Sequence, residues 1–478
     1  MFFIFVANME FVGRIYETKR LNEIFNRNRS EFLVVYGRRR IGKTFLLRHT
    51  FSKRMSFHHT ALANSGLNAQ LLNFNTSLHR SFGSLLPHSP PQNWIEAFQR
   101  LQKGLEQMPA GKKLVFIDEL PWLDSPRSGF LPAFEHFWNS WAAARADIML
   151  VVCGSAASWM IGKILKNRGG LHNRVTERMH LKPFTLAECK MLTKELGIEW
   201  NLHQLMEVYM ILGGVPYYWS LLPRGKSAAQ AIDTLLFGDN ALLGHELTNL
   251  YASLFKKYRT HVAIIRALAS RKIGLTRDAL IRQSKMPNGG GTTRVLEELE
   301  QSDFIRKYTP IGRKSRESLY QLCDFFSLFH FNFIENKQQR QANTWLSQLD
   351  HPQHRAWSGY AFELLCLQHT EHIKKALGIS GVDIRVASWR SAGQKPLQVD
   401  LLFERRDKII NLFEIKFSSA PFVLDKKYAA ELAEKLETFR RETKTRSAVH
   451  LSMISPYGLK SNTWSGMVQV NLEGEDFL

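Results

Sequence analysis

The sequence predicts a multidomain α/β protein: an α/β sandwich, then a helical lid, a winged helix and a further α/β domain. Three observations carry that expectation. The chain has 478 residues, which at roughly 100–200 residues per domain points to several domains. In its first third, short runs that are apolar on both faces alternate with helical stretches, as parallel strands covered by helices do. From residue 183 the strand signal gives way to helical periodicity and returns only later.

Taken in order, residues 1–8 read as an N-terminal tail, with Met9 an alternative start, and 9–182 as the sandwich core. Its strands are expected at 32–36, 114–117 and 148–152, with helices at 94–107 and 134–144. Residues 183–257 read as an all-helical lid; Thr185 and Glu188 have the spacing of a capping box, and the Gly-Gly-Val-Pro run at 213–216 breaks the helical pattern. Residues 258–324 suggest three helices (261–270, 277–284 and 292–301) and a hairpin of strands 304–308 and 319–322 around a basic loop with Arg313, Lys314 and Arg316. That is a winged helix with 292–301 in the recognition position; a plain helical connector or a protein-contact module is the competing reading. The aromatic run 325–334 opens a connector (325–349) and reads as buried packing rather than a base-stacking platform. The last domain, 350–478, is expected to hold a helix at 357–377 and strands at 383–388, 398–403, 409–417 and 447–452.

Charge speaks to partners. Against 43 Asp and Glu stand 64 Lys and Arg, a formal charge of +21, which favours a polyanion, most simply nucleic acid. The cysteines, Cys153, Cys189, Cys323 and Cys366, lie far apart without metal-type spacing, so neither a disulfide framework nor a zinc ribbon is expected. His369 and His372, without a matching ligand set, read as packed or solvated side chains. No apolar run approaches a membrane span, and the opening residues lack a basic region and cleavage site, so a cytoplasmic protein is expected.

The segment Gly37, Arg38, Arg39, Arg40, Ile41, Gly42, Lys43, Thr44 matches GxxxxGK[ST] directly after an apolar strand. Such a loop turns backbone N–H groups inward around phosphates, and the following helix adds its N-terminal dipole. Lys43 would reach the β- and γ-phosphates of ATP, and the Thr44 hydroxyl would ligate Mg²⁺. Asp118 and Glu119 end the run 114–117, Asp118 placed to hold Mg²⁺ through water and Glu119 to polarise the attacking water. Ser155, beyond the run 148–152, is positioned to sense the γ-phosphate or that water, and Arg174 is the candidate cation for the leaving charge, in cis or across a homo-oligomer contact.

Together with the segments 11–17, 117–119, 154–155 and 213–218, the loop resembles the archaeal-type AAA-like ATPases, P-loop NTPases with an extra strand between the two phosphate-site strands. The resemblance implies that 11–17 contributes to the adenine pocket. It departs at Asn173-Arg174, where the family usually has Gly-Arg. From 320 onward the chain looks like the uncharacterised domain that often follows this ATPase.

In that last domain Glu363 lies on the helix, Asp400 in one strand, and Glu414 and Lys416 in the next, on one face by strand alternation. The set resembles a PD-(D/E)XK, restriction-endonuclease-like core, with Gln398-Val399 where the family has Pro. The resemblance implies that Glu363, Asp400 and Glu414 ligate Mg²⁺ while Lys416 orients the attacking water. Surrounding bases (Arg385, Arg390, Lys395, Arg405, Arg406, Lys408, Lys426, Lys427) suit a phosphate backbone. The expectation is therefore an ATPase coupled to DNA binding and Mg²⁺-dependent DNA cleavage. The alternative is a regulatory ATPase switch that binds DNA or a protein and cuts nothing; a membrane-surface ATPase lacks the amphipathic basic helix it would need.

Overall fold

The computed structural model describes residues 11–166, 169–238, 240–335, 345–349, 351–393 and 397–478. The tail 1–8, the alternative start Met9, connector residues 336–344 and Lys395 lie outside the described residues. The chain divides into two compact units, Met1–Pro183 and Phe184–Leu478.

The first unit is a parallel sheet of β1 (Glu31–Tyr36), β2 (Met55–Thr60), β3 (Lys113–Asp118), β4 (Ile148–Gly154) and β5 (Glu177–His180) in the order β2-β3-β4-β1-β5. β4 pairs with both β1 and β3, so a strand does separate the two phosphate-site strands. Alternation along β1 sends Phe32 and Val34 into the core on one face and Leu33 and Val35 into the core on the other. All four are fully buried, each contributing about 1.5–3 kcal/mol relative to exposure. Helices Trp94–Glu106 and Phe130–Ser140 cover the first face, and Ile15–Phe25 and Lys43–Phe51 the second. The helix expected at 134–144 starts earlier, at Phe130, and gives way after Ser140 to a 3-10 turn, Ala142–Ala144.

In the second unit, the segment 184–257 forms helices Leu186–Glu195, Leu202–Leu212, Pro216–Trp219, Ala228–Leu236 and Glu246–Leu254. Thr185 and Glu188 form the expected capping box. Glycine is required at 214, because a Cβ there would lie 1.8 Å from the Phe184 carbonyl oxygen. His369 is a packed histidine: its Nδ1 donates to the Leu365 carbonyl and its Nε2 accepts the Leu186 N–H at 2.9 Å. Burial pushes its pKa down to about 4.

Helices Tyr258–Ala269, Arg277–Ser284 and Gly290–Gln301 are followed by β7 (Ile305–Tyr308) and β8 (Leu319–Leu322), and β6 (Leu275–Thr276) completes a small antiparallel sheet β6-β8-β7. The helix Gly290–Gln301 buries Thr292, Val295, Leu296 and Leu299, leaving Arg294, Glu297 and Glu300 exposed. Phe325, Phe326 and Phe329 are buried in the following helix, against Tyr209, Tyr218 and the Trp345–Trp357 pair respectively. The aromatic run is thus core, as its density predicts.

The last sheet is mixed: β9 (Ile384–Arg390), β10 (Gln398–Arg405) and β11 (Ile409–Ile415) are antiparallel neighbours, and β12 (Ala448–Ile454) and β13 (Val470–Leu472) continue parallel to β11. Helix Lys426–Thr443 connects β11 to β12, and the helix expected at 357–377 is Pro352–Gln368 followed by Thr370–Ala376.

Candidate functional site

Because β1, β3 and β4 are parallel, their carboxyl ends place Gly37, Asp118-Glu119 and Gly154-Ser155 along one edge of the first sheet. Ligands bind at such edges in open α/β sheets. The loop Gly37–Gly42 leaves β1 and turns into the helix that begins at Lys43. Gly37 has φ 148°, and a Cβ on it would lie 2.3 Å from the Leu181 carbonyl oxygen, so the strand-to-loop exit tolerates no side chain. The turn is braced from outside by Arg14, which is almost fully buried and donates through Nη2 to the carbonyls of Ile41 (3.2 Å) and Lys182 (2.7 Å).

Lys43 Nζ donates to the carbonyls of Gly37 (3.1 Å) and Arg38 (2.8 Å) and to Ser155 Oγ at 3.0 Å. Ser155 in turn donates through Oγ to Glu119 Oε1 at 2.8 Å and through its N–H to Oε2 at 3.2 Å. Burial pulls the Lys43 pKa down, opposed by the nearby Glu119 and Asp118. Thr44 Oγ1 donates to Asp118 Oδ2 at 2.9 Å, while Cys153 Sγ (2.6 Å) and the Glu119 N–H (3.0 Å) donate to Oδ1. Burial pushes the Asp118 carboxyl up. Its hydrogen-bond partners are a hydroxyl, a thiol and an N–H, none of them cationic. The paired hard oxygens of Thr44 and Asp118 therefore fit Mg²⁺, and a divalent cation would relieve the buried charge.

Arg174 is not brought to this cluster: it stands exposed before β5, its N–H bonded to the Leu171 carbonyl. Its neighbour Asn173 has φ 54°, the left-handed conformation that glycine adopts freely and asparagine tolerates. That accounts for asparagine where Gly-Arg is usual. Phe11 stacks on His49 (ring centroids 4.0 Å apart) and on Phe45, and beside it Ile15 and Tyr16 are exposed. Two participants escaped the sequence reading. Arg14 lies within the quoted segment 11–17 but braces the loop, and Cys153 becomes an Asp118 partner only through the pairing of β3 with β4.

In the second unit, the register Leu401↔Phe413 sets Asp400 across from Glu414. Lys416 Nζ lies 3.2 Å from Glu414, as their shared face predicts. Glu414 is already engaged, accepting from Lys435 Nζ at 2.7 Å and from the Tyr428 hydroxyl. Burial opposes its charge, but Lys435, Lys416 and these bonds outweigh burial and hold the carboxyl below its ordinary value. Asp400 is pushed up by burial and by Glu414, with the Gln398 amide donating to it in opposition. Glu363 is pushed up to about 8, first by burial, then by Asp400 and Glu414, with Lys272 and Lys416 opposing. The three carboxylates form one electrostatic cluster. The expected metal set Glu363, Asp400 and Glu414 fits a cation only in part, because two lysines and a tyrosine occupy Glu414. Among the described residues, no group of three or more His, Cys, Asp or Glu is arranged to hold a metal ion.

The first unit thus has a P-loop NTPase-like α/β fold with a parallel sheet and a Lys-Thr-Asp-Glu-Ser constellation at its carboxyl edge. Residues 11–222 match the family model described as an ATPase domain predominantly from Archaea. The chain is 24% identical over 417 residues to an uncharacterized protein of Methanocaldococcus jannaschii, covering 85% of this chain and 87% of that one. Among solved structures, a Walker-type ATPase of Pyrococcus abyssi aligns at 18% identity and TM-score 0.49, covering 69% of this chain and 99% of its own. The ORC2 protein of Aeropyrum pernix, in ADPNP and ADP complexes, aligns at 16% identity and TM-score 0.42, over 69% and 96%. No helix among the described residues is long and apolar enough to cross a membrane.

Proposed function

We propose that the first unit binds and hydrolyses ATP with Mg²⁺. The carrying observation is convergence: Lys43 and Glu119 meet at Ser155, while Thr44 meets Asp118 at 2.9 Å. In this reading the loop N–H groups and the Lys43 ammonium hold the β- and γ-phosphates. Thr44 and Asp118 hold Mg²⁺, which supplies neutralising charge to the phosphate oxygens when bound. Glu119 polarises the attacking water, and Ser155 fixes the direction of its carboxylate. Arg174, which the fold of one chain does not bring to this cluster, would serve the leaving charge only across a homo-oligomer contact, and Phe11 with its exposed apolar neighbours receives the adenine.

Thermal unfolding tests the binding step. A non-hydrolysable ATP analogue with Mg²⁺ is expected to raise Tm progressively, since a ligand at a hundred times its Kd adds about 2.7 kcal/mol. An unchanged Tm at millimolar analogue and Mg²⁺ argues against the assignment.

For the second unit the reading is nucleic-acid handling. The three helices with a following hairpin suit a winged helix, and the mixed sheet suits a nuclease-like core. The mutual electrostatic influence of Glu363, Asp400 and Glu414 beside Lys416 favours cleavage as its activity, whereas the engagement of Glu414 by Lys435 and Tyr428 and the lack, among the described residues, of a three-ligand metal arrangement favour the binding-only alternative. Incubation with linear and supercoiled DNA plus Mg²⁺ or Mn²⁺ separates them. Under the cleavage reading wild-type protein nicks DNA and Asp400→Ala does not. Intact DNA with wild-type protein leaves the binding-only switch.

A further inference from the structure

If the second unit handles nucleic acid, its structure directs attention away from the surfaces a winged helix ordinarily offers. The helix Gly290–Gln301, in the recognition position, exposes Glu297 and Glu300, and its Arg294 is paired to Glu298 at 2.9 Å. That face would repel phosphates. The hairpin loop is partly committed too. Ile311 donates its N–H to the Ser388 carbonyl of β9 at 2.9 Å and packs against the core of the last sheet, while Arg313 pairs with Glu317.

The cations gather elsewhere. An open cleft of about 830 Å³ lies between the turn after helix Tyr258–Ala269, the helix Arg277–Ser284 and the end of β9. Arg271, Lys272, Arg282 and Arg390 line it, and no carboxylate does among the described residues. Arg271, Arg282 and Arg390 are exposed, while Lys272 Nζ also donates to the Ala356 carbonyl at 2.8 Å. One wall is preset: Gln283 Nε2 donates to Ser270 Oγ at 2.7 Å. The cleft also adjoins the carboxylate cluster. Arg390 stands opposite Gln398 in the β9–β10 register, and the Gln398 amide donates to Asp400. Lys272 on the other wall is close enough to Glu363 to oppose its raised pKa.

The geometry points to this cleft as a binding site for the phosphate backbone of a nucleic-acid strand, held by Arg271, Arg282 and Arg390 and directed toward Glu363 and Asp400. The inference rests on the nucleic-acid reading above and adds the place and the residues. Three exposed guanidiniums from separate elements can each take a phosphate, which a chain of phosphates satisfies and a single inorganic phosphate does not. The bases themselves are left unread, so binding is expected to be indifferent to sequence and steeply salt-dependent.

Fluorescence anisotropy of labelled single-stranded and duplex oligonucleotides on the full-length chain tests it, across a salt series, with inorganic phosphate as competitor. The variants are Arg271→Glu/Arg282→Glu, the milder Arg271→Gln/Arg282→Gln, Arg390→Gln and, for comparison, Arg313→Gln/Arg316→Gln in the hairpin; the thermal unfolding profile of each full-length variant, compared with wild type, reports folding. The neutral double variant in the cleft is expected to weaken binding at least about tenfold, with the slope of log K against log salt shallower by about 2, one for each phosphate contact removed. The hairpin variant should lose less than the cleft variant, and millimolar phosphate should compete poorly. Wild-type affinity in the cleft variants together with loss in the hairpin variant overturns the cleft and keeps the nucleic-acid reading. Displacement by millimolar phosphate overturns the strand as ligand. Absence of oligonucleotide binding by wild-type protein at low salt overturns both.

Discussion

Replacing Lys43 by alanine is expected to lower ATP turnover about 10²–10³-fold, the scale of losing one pre-placed charge donor in a transition state. The ammonium is buried and held by three acceptors, the Gly37 and Arg38 carbonyls and Ser155 Oγ, so its position is fixed by the loop itself. Burial lowers its pKa, while Glu119 and Asp118 act to keep it charged. The same substitution strips donors from the loop carbonyls, so nucleotide affinity should fall as well. Phosphate release measured under saturating ATP separates the two effects, because a pure binding defect leaves kcat unchanged. Wild-type kcat in Lys43→Ala would remove the phosphate loop from the chemistry.

Glu119→Gln is expected to behave differently. The amide keeps the shape, and its oxygen can still accept from Ser155, whose Oγ and N–H now reach the two carboxylate oxygens. What is lost is the ability to draw a proton from water, worth about 10²–10⁴-fold in general-base steps. Nucleotide binding should stay within a few-fold of wild type, roughly 1 kcal/mol, while kcat collapses. Equal losses in binding and turnover would assign Glu119 a structural role.

The proposed ATP site was drawn from the sequence because its parts are local. A loop of fixed spacing and two short apolar strands ending in Asp118-Glu119 and Gly154-Ser155 identify themselves without knowledge of the fold. β2 did not, since His58 and His59 interrupt its apolar pattern at the edge of the sheet. His59 is nonetheless fully buried, its pKa pushed down to about 3 mainly by burial. The partners of Asp118 and Glu414 were hidden for another reason. Cys153, Lys435 and Tyr428 reach them from distant stretches of chain, and only strand pairing and helix packing decide which side chains meet. The same holds for Gly290–Gln301. Its glutamates are plain in the sequence, but which of them face solvent is set by the burial of Val295, Leu296 and Leu299.

The most direct test of the central claim is phosphate release from ATP by wild-type protein and Glu119→Gln side by side, with Mg²⁺ and with EDTA, after nucleotide binding has been measured for both. The account predicts turnover by the wild type alone, only with Mg²⁺, at comparable nucleotide affinity in the two proteins. Equal turnover in Glu119→Gln, or wild-type turnover that survives EDTA, would contradict it.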